Sequence, residues 1–413
     1  MDKIELGLKE NWKQFTLLII VNAFVGGMVG LERSILPQIA EGEFHLAAKT
    51  AILSFIVVFG ITKAITNYFT GTLANKVGRK NLLVIGWLIG IPVPLILMFA
   101  PSWNWIIAAN VFLGINQGLT WSSTVVMKID LVGEKNRGLA MGLNEFAGYI
   151  AVALVGFSTG WIAANYGIRP YPFYIGIGLV LVGLLLSFFF VKDTRGHSNK
   201  EGTSSITPRL KNSFKDTSWN HPNLGSVTQA GLVNNLNDGM AWGLLPILLA
   251  TKGFTLQEIG VITAIYPGVW GIGQLFTGKM ADHYSKKMML FWGMLLQGIA
   301  LLFLVYAHTF YHYGILAAIL GLGTAMVYPT FLATIAENTH PEDRPKSIGI
   351  FRLWRDLGYA IGAVLTGVLA DFFSINTAIL FISALTGLSA FVILLRMTDK
   401  KVRHSGTILQ PSI

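Results

Sequence analysis

Cysteine is missing from all 413 residues, and charged residues make up only 13% of them. Without thiols there is no disulfide, no thiolate metal site and no cysteine nucleophile. The eight histidines form no HExxH motif, so the usual zinc helix is absent too. Soluble domains run at about 25% charged, so half the usual solvating charge is lacking. What fills the chain instead is 53% hydrophobic residues and 45 glycines, with a mean hydropathy of +0.58. That composition excludes a disordered chain, a coiled coil and a soluble enzyme, and glycine is common in membrane helices.

A helix needs roughly 20 apolar residues to cross a bilayer, and twelve such runs can be marked. They cover residues 14–37, 48–71, 81–100, 103–127, 138–164 and 172–192, then 224–250, 257–279, 287–307, 311–335, 346–370 and 376–396. One polar stretch, 193–223, separates the sixes. The expected organisation is a helical bundle over 1–192, a linker over 193–223, and a second bundle with a short tail over 224–413. Within the linker, the stretch from Pro208 to Asp216 reads as a short amphipathic helix, with Leu210, Phe214 and the following Trp219 expected on the inner leaflet beside Lys211 and Lys215.

The chain is basic, with 31 Lys+Arg against 21 Asp+Glu. Placed on the spans, 24 of the 31 (Lys128 among them) fall on the side of the N-terminus and three (Lys49, Arg169, Lys252) on the other. Basic loops mark the cytoplasm, so both termini read as cytoplasmic, in a plasma (inner) membrane. The positive charge is then a topology signal, and no nucleic-acid partner is expected.

The two halves echo each other. Gly71-Thr-Leu-Ala-Asn75 returns as Gly278-Lys-Met-Ala-Asp282, and the same offset carries Arg79 to Lys286, Asp130 to Glu337 and Arg137 to Arg344. Gly148-Tyr149 returns as Gly358-Tyr359. The stretch Gly71–Lys80 resembles the G-x-L-a-D-r-x-G-r-k loop of the major facilitator superfamily, and Gly278–Lys287 is its second copy in the matching loop. The resemblance implies an all-α integral membrane protein, with twelve transmembrane helices in two pseudo-symmetric six-helix bundles. It also implies alternating access to a solute site between the halves. Departures stand at Asn75, where the pattern has an acid, at Gly114, where many drug–proton antiporters have arginine, and at Gly148-Tyr149, where they have Gly-Pro.

Three groups of candidate residues follow. The repeated loop charges (Asn75, Arg79, Asp130, Arg137, Asp282, Lys286, Glu337, Arg344, with Gly71 and Gly278) suggest a cytoplasmic latch meeting helix ends of the opposite bundle. Ions inside the membrane are expensive and usually functional. Lys63, Glu145, Arg352, Arg355 and Asp356 form one such layer, Arg352, Arg355, Asp356 and Tyr359 sharing a helical face. Glu32 and Arg33 lie near the outer end of the first span, where long side chains can reach the interface. By the superfamily resemblance, spans 1, 4, 7 and 10 line the cavity, which assigns Asn22, Asn116, Gln117, Trp121, Asn235, Asp238, Trp242 and Tyr328 to it. Asp238 and Glu145 are the candidate proton carriers.

The expected function is secondary transport of a small organic solute by a monomer in the lipid bilayer, coupled to protons, with no cofactor, no metal and no enzymatic step. Efflux of an amphiphilic or organic anionic compound leads. Uptake of a small polar or anionic metabolite is the sibling reading, and a non-transporting membrane sensor on the same fold is the rival.

Overall fold

The computed structural model describes residues 5–132, 137–200, 209–340 and 344–398, with the side chains of 71, 72, 74–76, 137, 138, 198–200, 282, 283, 336, 344 and 345 outside that description. Among the described residues every regular element is a helix. In the first half α1 (Trp12–Arg33) and α2 (Leu36–Gly42) form one rod, and α3 (Lys49–Ile52) with α4 (Ser54–Val77) the second. The third joins α5 (Arg79–Gly90) to α6 (Pro92–Phe99), followed by α7 (Trp103–Val132), α8 (Arg137–Tyr166) and α9 (Tyr174–Phe189). After α10 (Arg195–Lys200) and α11 (Ser213–Lys215) come α12 (Pro222–Thr251), α13 (Leu256–His283), α14 (Lys286–Leu304), α15 (Phe310–Asn338), α16 (Arg344–Phe372) and α17 (Ile375–Arg396).

Of these rods, eight are long and apolar enough to cross a membrane by length and composition, fewer than the twelve runs marked on the sequence. Those that fall short are α4, α7, α12 and α16. They carry Lys63, Asn116 with Gln117, Asn234 to Asp238, and Arg352 to Asp356 respectively. Their polarity is collected where the rods meet, and Asn234 to Leu249 is buried without a break.

Local chemistry explains where the rods break. A proline ring clashes with the carbonyl four residues back, and Pro37 ends α1 at Arg33. Pro92 and Pro94 divide the third rod at Ile91. The start of α13 is a capping box, in which Glu258 N donates to Thr255 Oγ1 at 3.3 Å and Thr255 N to Glu258 Oε2 at 2.8 Å. The linker departs from expectation: the helical turn begins at Ser213, capped by Asn212 Oδ1, which accepts from Lys215 N at 3.0 Å. Pro208, assigned to that helix's first turn, lies outside the described residues. Phe214 and Trp219 are exposed, and the Arg396 guanidinium lies 3.8 Å from the Trp219 ring.

Packing within the first half runs α1–α8, α4–α7 and α5–α7, and within the second α12–α16, α13–α15 and α14–α17. Small residues permit the closest of these: a Cβ on Gly26 would lie 2.0 Å from the Gly148 carbonyl oxygen. Across the halves, α8 packs along α13 and α4 along α16.

The two copies of the repeated loop turn by different means. Gly78 takes φ +99°, a conformation open essentially to glycine alone, and a Cβ there would meet Asp193 Oδ2 at 2.8 Å. The equivalent Ser285 has φ −58° and caps α14, accepting from Met288 N at 3.1 Å. Burial would raise the Asp193 carboxyl, but hydrogen bonds from the Arg195 and Lys80 backbone N–H groups and the Arg195 guanidinium outweigh it and hold the group below its ordinary 3.8. This contact therefore persists at neutral pH and is lost only as the pH falls past that depressed value. Gly78→Ala is expected to cost about 1–3 kcal/mol, and Ser285→Ala about 1 kcal/mol. Melting temperatures in detergent check the order; equal losses would refute the backbone argument.

Candidate functional site

A chain of hydrogen bonds joins the halves along the buried stretch between α4, α7 and α16. Arg352 Nη1 donates to Ser122 Oγ at 2.7 Å, and Ser122 Oγ donates to Asn67 Oδ1 at 2.6 Å. Asn67 Nδ2 in turn donates to Asp356 Oδ2 at 2.5 Å. Arg355 closes the chain, its Nη2 2.6 Å and its Nε 2.8 Å from Asp356 Oδ1. Asn235 Nδ2 reaches that same oxygen at 3.5 Å. Lys63 stands beside the chain with its ammonium 5.1 Å from the Tyr359 ring, 5.4 Å from Phe59 and 5.7 Å from Trp121. Glu145 completes the ring of charges, accepting from Asn144 Nδ2 at 2.7 Å and Trp121 Nε1 at 3.2 Å.

These groups surround one void. Lys63, Glu145, Arg352 and Arg355 of the charged layer and Trp121 and Tyr328 of the cavity candidates line it, together with Asn67, Ser122 and Tyr149. It measures about 10 Å³, room for roughly one water. Its aromatic wall crosses the halves: Tyr149 stacks on Trp270 at 3.5 Å, Trp270 meets Tyr328 at 4.7 Å, and the Tyr149 and Tyr328 hydroxyls are 3.3 Å apart.

Other candidates lie elsewhere. Asn22 donates to the Asn144 carbonyl, Asn116 to the Gly86 carbonyl and Gln117 to the Val25 carbonyl; all three fasten helices inside the first half instead of lining the void. Asp238 is buried, and its Oδ1 accepts from the Tyr266 hydroxyl. Trp242 stacks on Tyr359 at 5.1 Å, and the Arg33 guanidinium lies 4.2 Å from its ring. Glu32 and Arg33 do not reach the interface: both are buried, Glu32 Oε2 accepting from Asn110 Nδ2 at 3.1 Å.

Lys128 needs correction as well. Counted on the sequence as a cytoplasmic loop charge, it is fully buried within α7, and its ammonium donates to Asn144 Oδ1. Two pairs of the repeated loop charges are equivalent in the two halves. Arg79 lies 3.3 Å from Asp130, and its equivalent Lys286 lies 2.6 Å from Glu337. Each of these two pairs lies within its own half and braces that bundle. The side chains of Asn75, Arg137, Asp282 and Arg344 lie outside the described residues. His308 and His312 are four apart, but His308 precedes the Thr309 cap of α15. Among the described residues no three His, Asp or Glu side chains gather where a metal could sit.

A contact between the halves that the sequence did not suggest closes the opposite face. The Asp371 carboxylate at the end of α16 accepts from Lys49 N at 2.5 Å, Thr50 N at 2.9 Å and Thr50 Oγ1 at 2.7 Å. Hydrogen bonds to a charged group are worth about 1.5–3 kcal/mol, so Asp371→Asn is expected to raise the population parted on this face about 10- to 100-fold. A single cysteine at Leu53, fully buried on this side, should then label correspondingly faster; an unchanged rate would contradict the latch.

The profile of the Major Facilitator Superfamily matches residues 18–223 and 227–411. A protein of Staphylococcus haemolyticus (strain JCSC1435) named "Proton-coupled antiporter flippase LtaA" is 26% identical over 377 residues, 89% of each chain. Its namesake in Staphylococcus aureus (strain USA300) is 25% identical over 380 residues, covering 88% of this chain and 89% of the relative. Among solved structures, the human organic anion transporter MFSD10 (TETRAN) superposes with a TM-score of 0.71 at 14% identity, covering 92% of this chain and 99% of its own. A bacterial homolog of the human lysosomal transporter Spinster, inward-facing and unoccupied, gives 0.72 at 11% identity, covering 94% and 96%. With a helical fold of two echoing halves, and a family match running from end to end, this chain is an integral membrane protein of the Major Facilitator Superfamily.

Proposed function

We propose that the chain is a proton-coupled secondary transporter that exports an amphiphilic solute by alternating access. In this reading all twelve rods cross the plasma membrane, both termini are cytoplasmic, and the monomer acts as a carrier and performs no chemistry on its solute. Bundles 1–192 and 224–413 rock about their shared interface, tethered by the linker 193–223. The proton-coupled antiporters among the relatives support the coupling and the exchange direction. The observation that carries the reading is the bonded chain Arg352–Ser122–Asn67–Asp356–Arg355 across the halves.

Such a chain is a poor investment for stability alone, because buried ion pairs gain little over apolar packing. It suits an element that must open and reclose, since two of its links, Arg352 to Ser122 and Asn67 to Asp356, join residues of the two halves. Lys63, which among the described residues is held by ring faces and in no ion pair, is the mobile charge of this layer; Glu145 is the carboxylate facing it across the void. The test is flipping of fluorescent NBD-labelled lipids in proteoliposomes, read by dithionite quenching, with and without a pH gradient. Flipping that follows the gradient and falls at least about tenfold in Lys63→Gln supports the reading; flipping indifferent to both refutes it.

A further inference from the structure

Arg33 ends α1 where the chain breaks before Pro37, and only 4% of it is exposed. Its guanidinium is clasped between rings, 4.2 Å from Trp242 and 4.9 Å from Phe59. Among the described residues none accepts a hydrogen bond from Nε, Nη1 or Nη2. The adjacent Glu32 carboxylate accepts from Asn110 through Oε2, while among the described residues its Oε1 has no hydrogen-bond partner, Arg33 included. A buried charge with its donors uncommitted is costly, and ring faces hold a guanidinium plane while leaving its N–H edge free.

That edge borders a second void, distinct from the first and lined from both halves: Arg33, Ser34 and Val152 on one side, Trp242, Leu245 and Pro267 on the other. The hydroxyl groups on its wall are already engaged. Ser34 Oγ donates to the Gly156 carbonyl, Thr263 Oγ1 to the Ile259 carbonyl, and the Tyr266 hydroxyl to Asp238. Asp238 itself does not line the void. Among the described residues that line it, Arg33 is the one charged side chain, set in a largely apolar wall with the Trp242 indole beside it.

We propose that Arg33 is an oxyanion subsite, taking a phosphate monoester or carboxylate head on an apolar body that lies along Val152, Leu245 and Pro267. A guanidinium suits such a head because it can donate two parallel hydrogen bonds to it. The void measures about 20 Å³ as the halves now stand, so the head enters when α1 and α8 part from α12 and α13. The inference deepens the transporter reading, from which it takes that motion, by naming the solute as an anionic amphiphile. A neutral headgroup would leave the cation unmet, and a free anion would leave the apolar wall unused.

The experiment titrates the protein, in nanodiscs of phosphatidylcholine, with decyl phosphate, decyl glucoside and inorganic phosphate, following binding by tryptophan fluorescence. Decyl phosphate is expected to bind at least about tenfold more tightly than either of the others, at 1.4 kcal/mol per tenfold. Arg33→Gln should erase that preference, and Arg33→Lys, which keeps charge but loses the fork, should retain part of it. If Arg33→Gln does not insert, the Lys variant and the three-probe comparison still decide. Equal binding of decyl glucoside, or unchanged affinity in a folded Arg33→Gln, overturns the subsite; equal binding of inorganic phosphate overturns the amphiphile. Loss of the decyl phosphate preference alongside gradient-driven lipid flipping would sink this inference alone. Tight decyl phosphate binding without gradient-driven flipping would sink the transporter reading instead.

Discussion

Arg355→Gln is expected to cut gradient-driven transport to background while the protein still inserts. The guanidinium is the cationic partner of Asp356, which is fully buried. Removing one member of a buried pair leaves the other uncompensated, at about 3–5 kcal/mol, equivalent to a shift of roughly 100- to 1,000-fold or more in the closed population at 1.4 kcal/mol per tenfold. The second consequence separates gate from scaffold. Arg355→Gln combined with Asp356→Asn removes both charges, so stability should recover. Transport should not recover, because the switchable contact to Asn67 is neutral in both states. Melting temperature and proteoliposome flux, measured on the same preparations, test this. Full transport by the double variant would leave the layer as static bracing.

Asp238→Asn is expected to have the other large effect, of a different kind. Asp238 is fully buried mid-helix, held by the Tyr266 hydroxyl on Oδ1, with Oδ2 lacking a donor among the described residues. An ionisable group at membrane depth is a functional site by default, and here one oxygen is free to take a proton. The amide keeps the hydrogen bond but cannot change charge. Solute exchange at equal pH should therefore stay within about twofold, whereas accumulation driven by a pH gradient should fall to the level of empty vesicles. A mutant that still accumulates solute against a gradient would exclude Asp238 as the proton carrier and turn attention to Glu145.

The rods were legible because crossing hydrocarbon demands long apolar runs, and the pseudo-symmetry because the loop motifs survive in both copies. The charged layer was legible too: Lys63, Glu145, Arg352, Arg355 and Asp356 stand out as ions in apolar runs, and the structure gathers them. Uncharged partners carried no such mark. Serine and threonine in helices ordinarily bond back to their own backbone, as Thr66 does to the Thr62 carbonyl and Thr120 to the Asn116 carbonyl. Nothing along the chain distinguishes Ser122, whose hydroxyl links Arg352 to Asn67. Lys128 and Arg33 misled for the same reason. Each sits near the end of an apolar run, where charges usually reach water, yet α7 continues to Val132 and α2 carries the first rod on to Gly42. Whether a charge at a helix end is wet depends on what packs over it, and that is settled between helices.

The most direct measurement follows protons and solute together across the same membrane. Proteoliposomes loaded with the pH dye pyranine would receive an inwardly directed gradient of labelled amphiphile, with internal pH and lipid flipping recorded in parallel. Exchange through one alternating site requires proton movement opposite to the solute and in fixed proportion to it, abolished in both channels by Arg355→Gln. In Asp238→Asn only the proton signal should vanish. Solute movement in the wild type with no accompanying proton movement would contradict proton-coupled exchange at its centre.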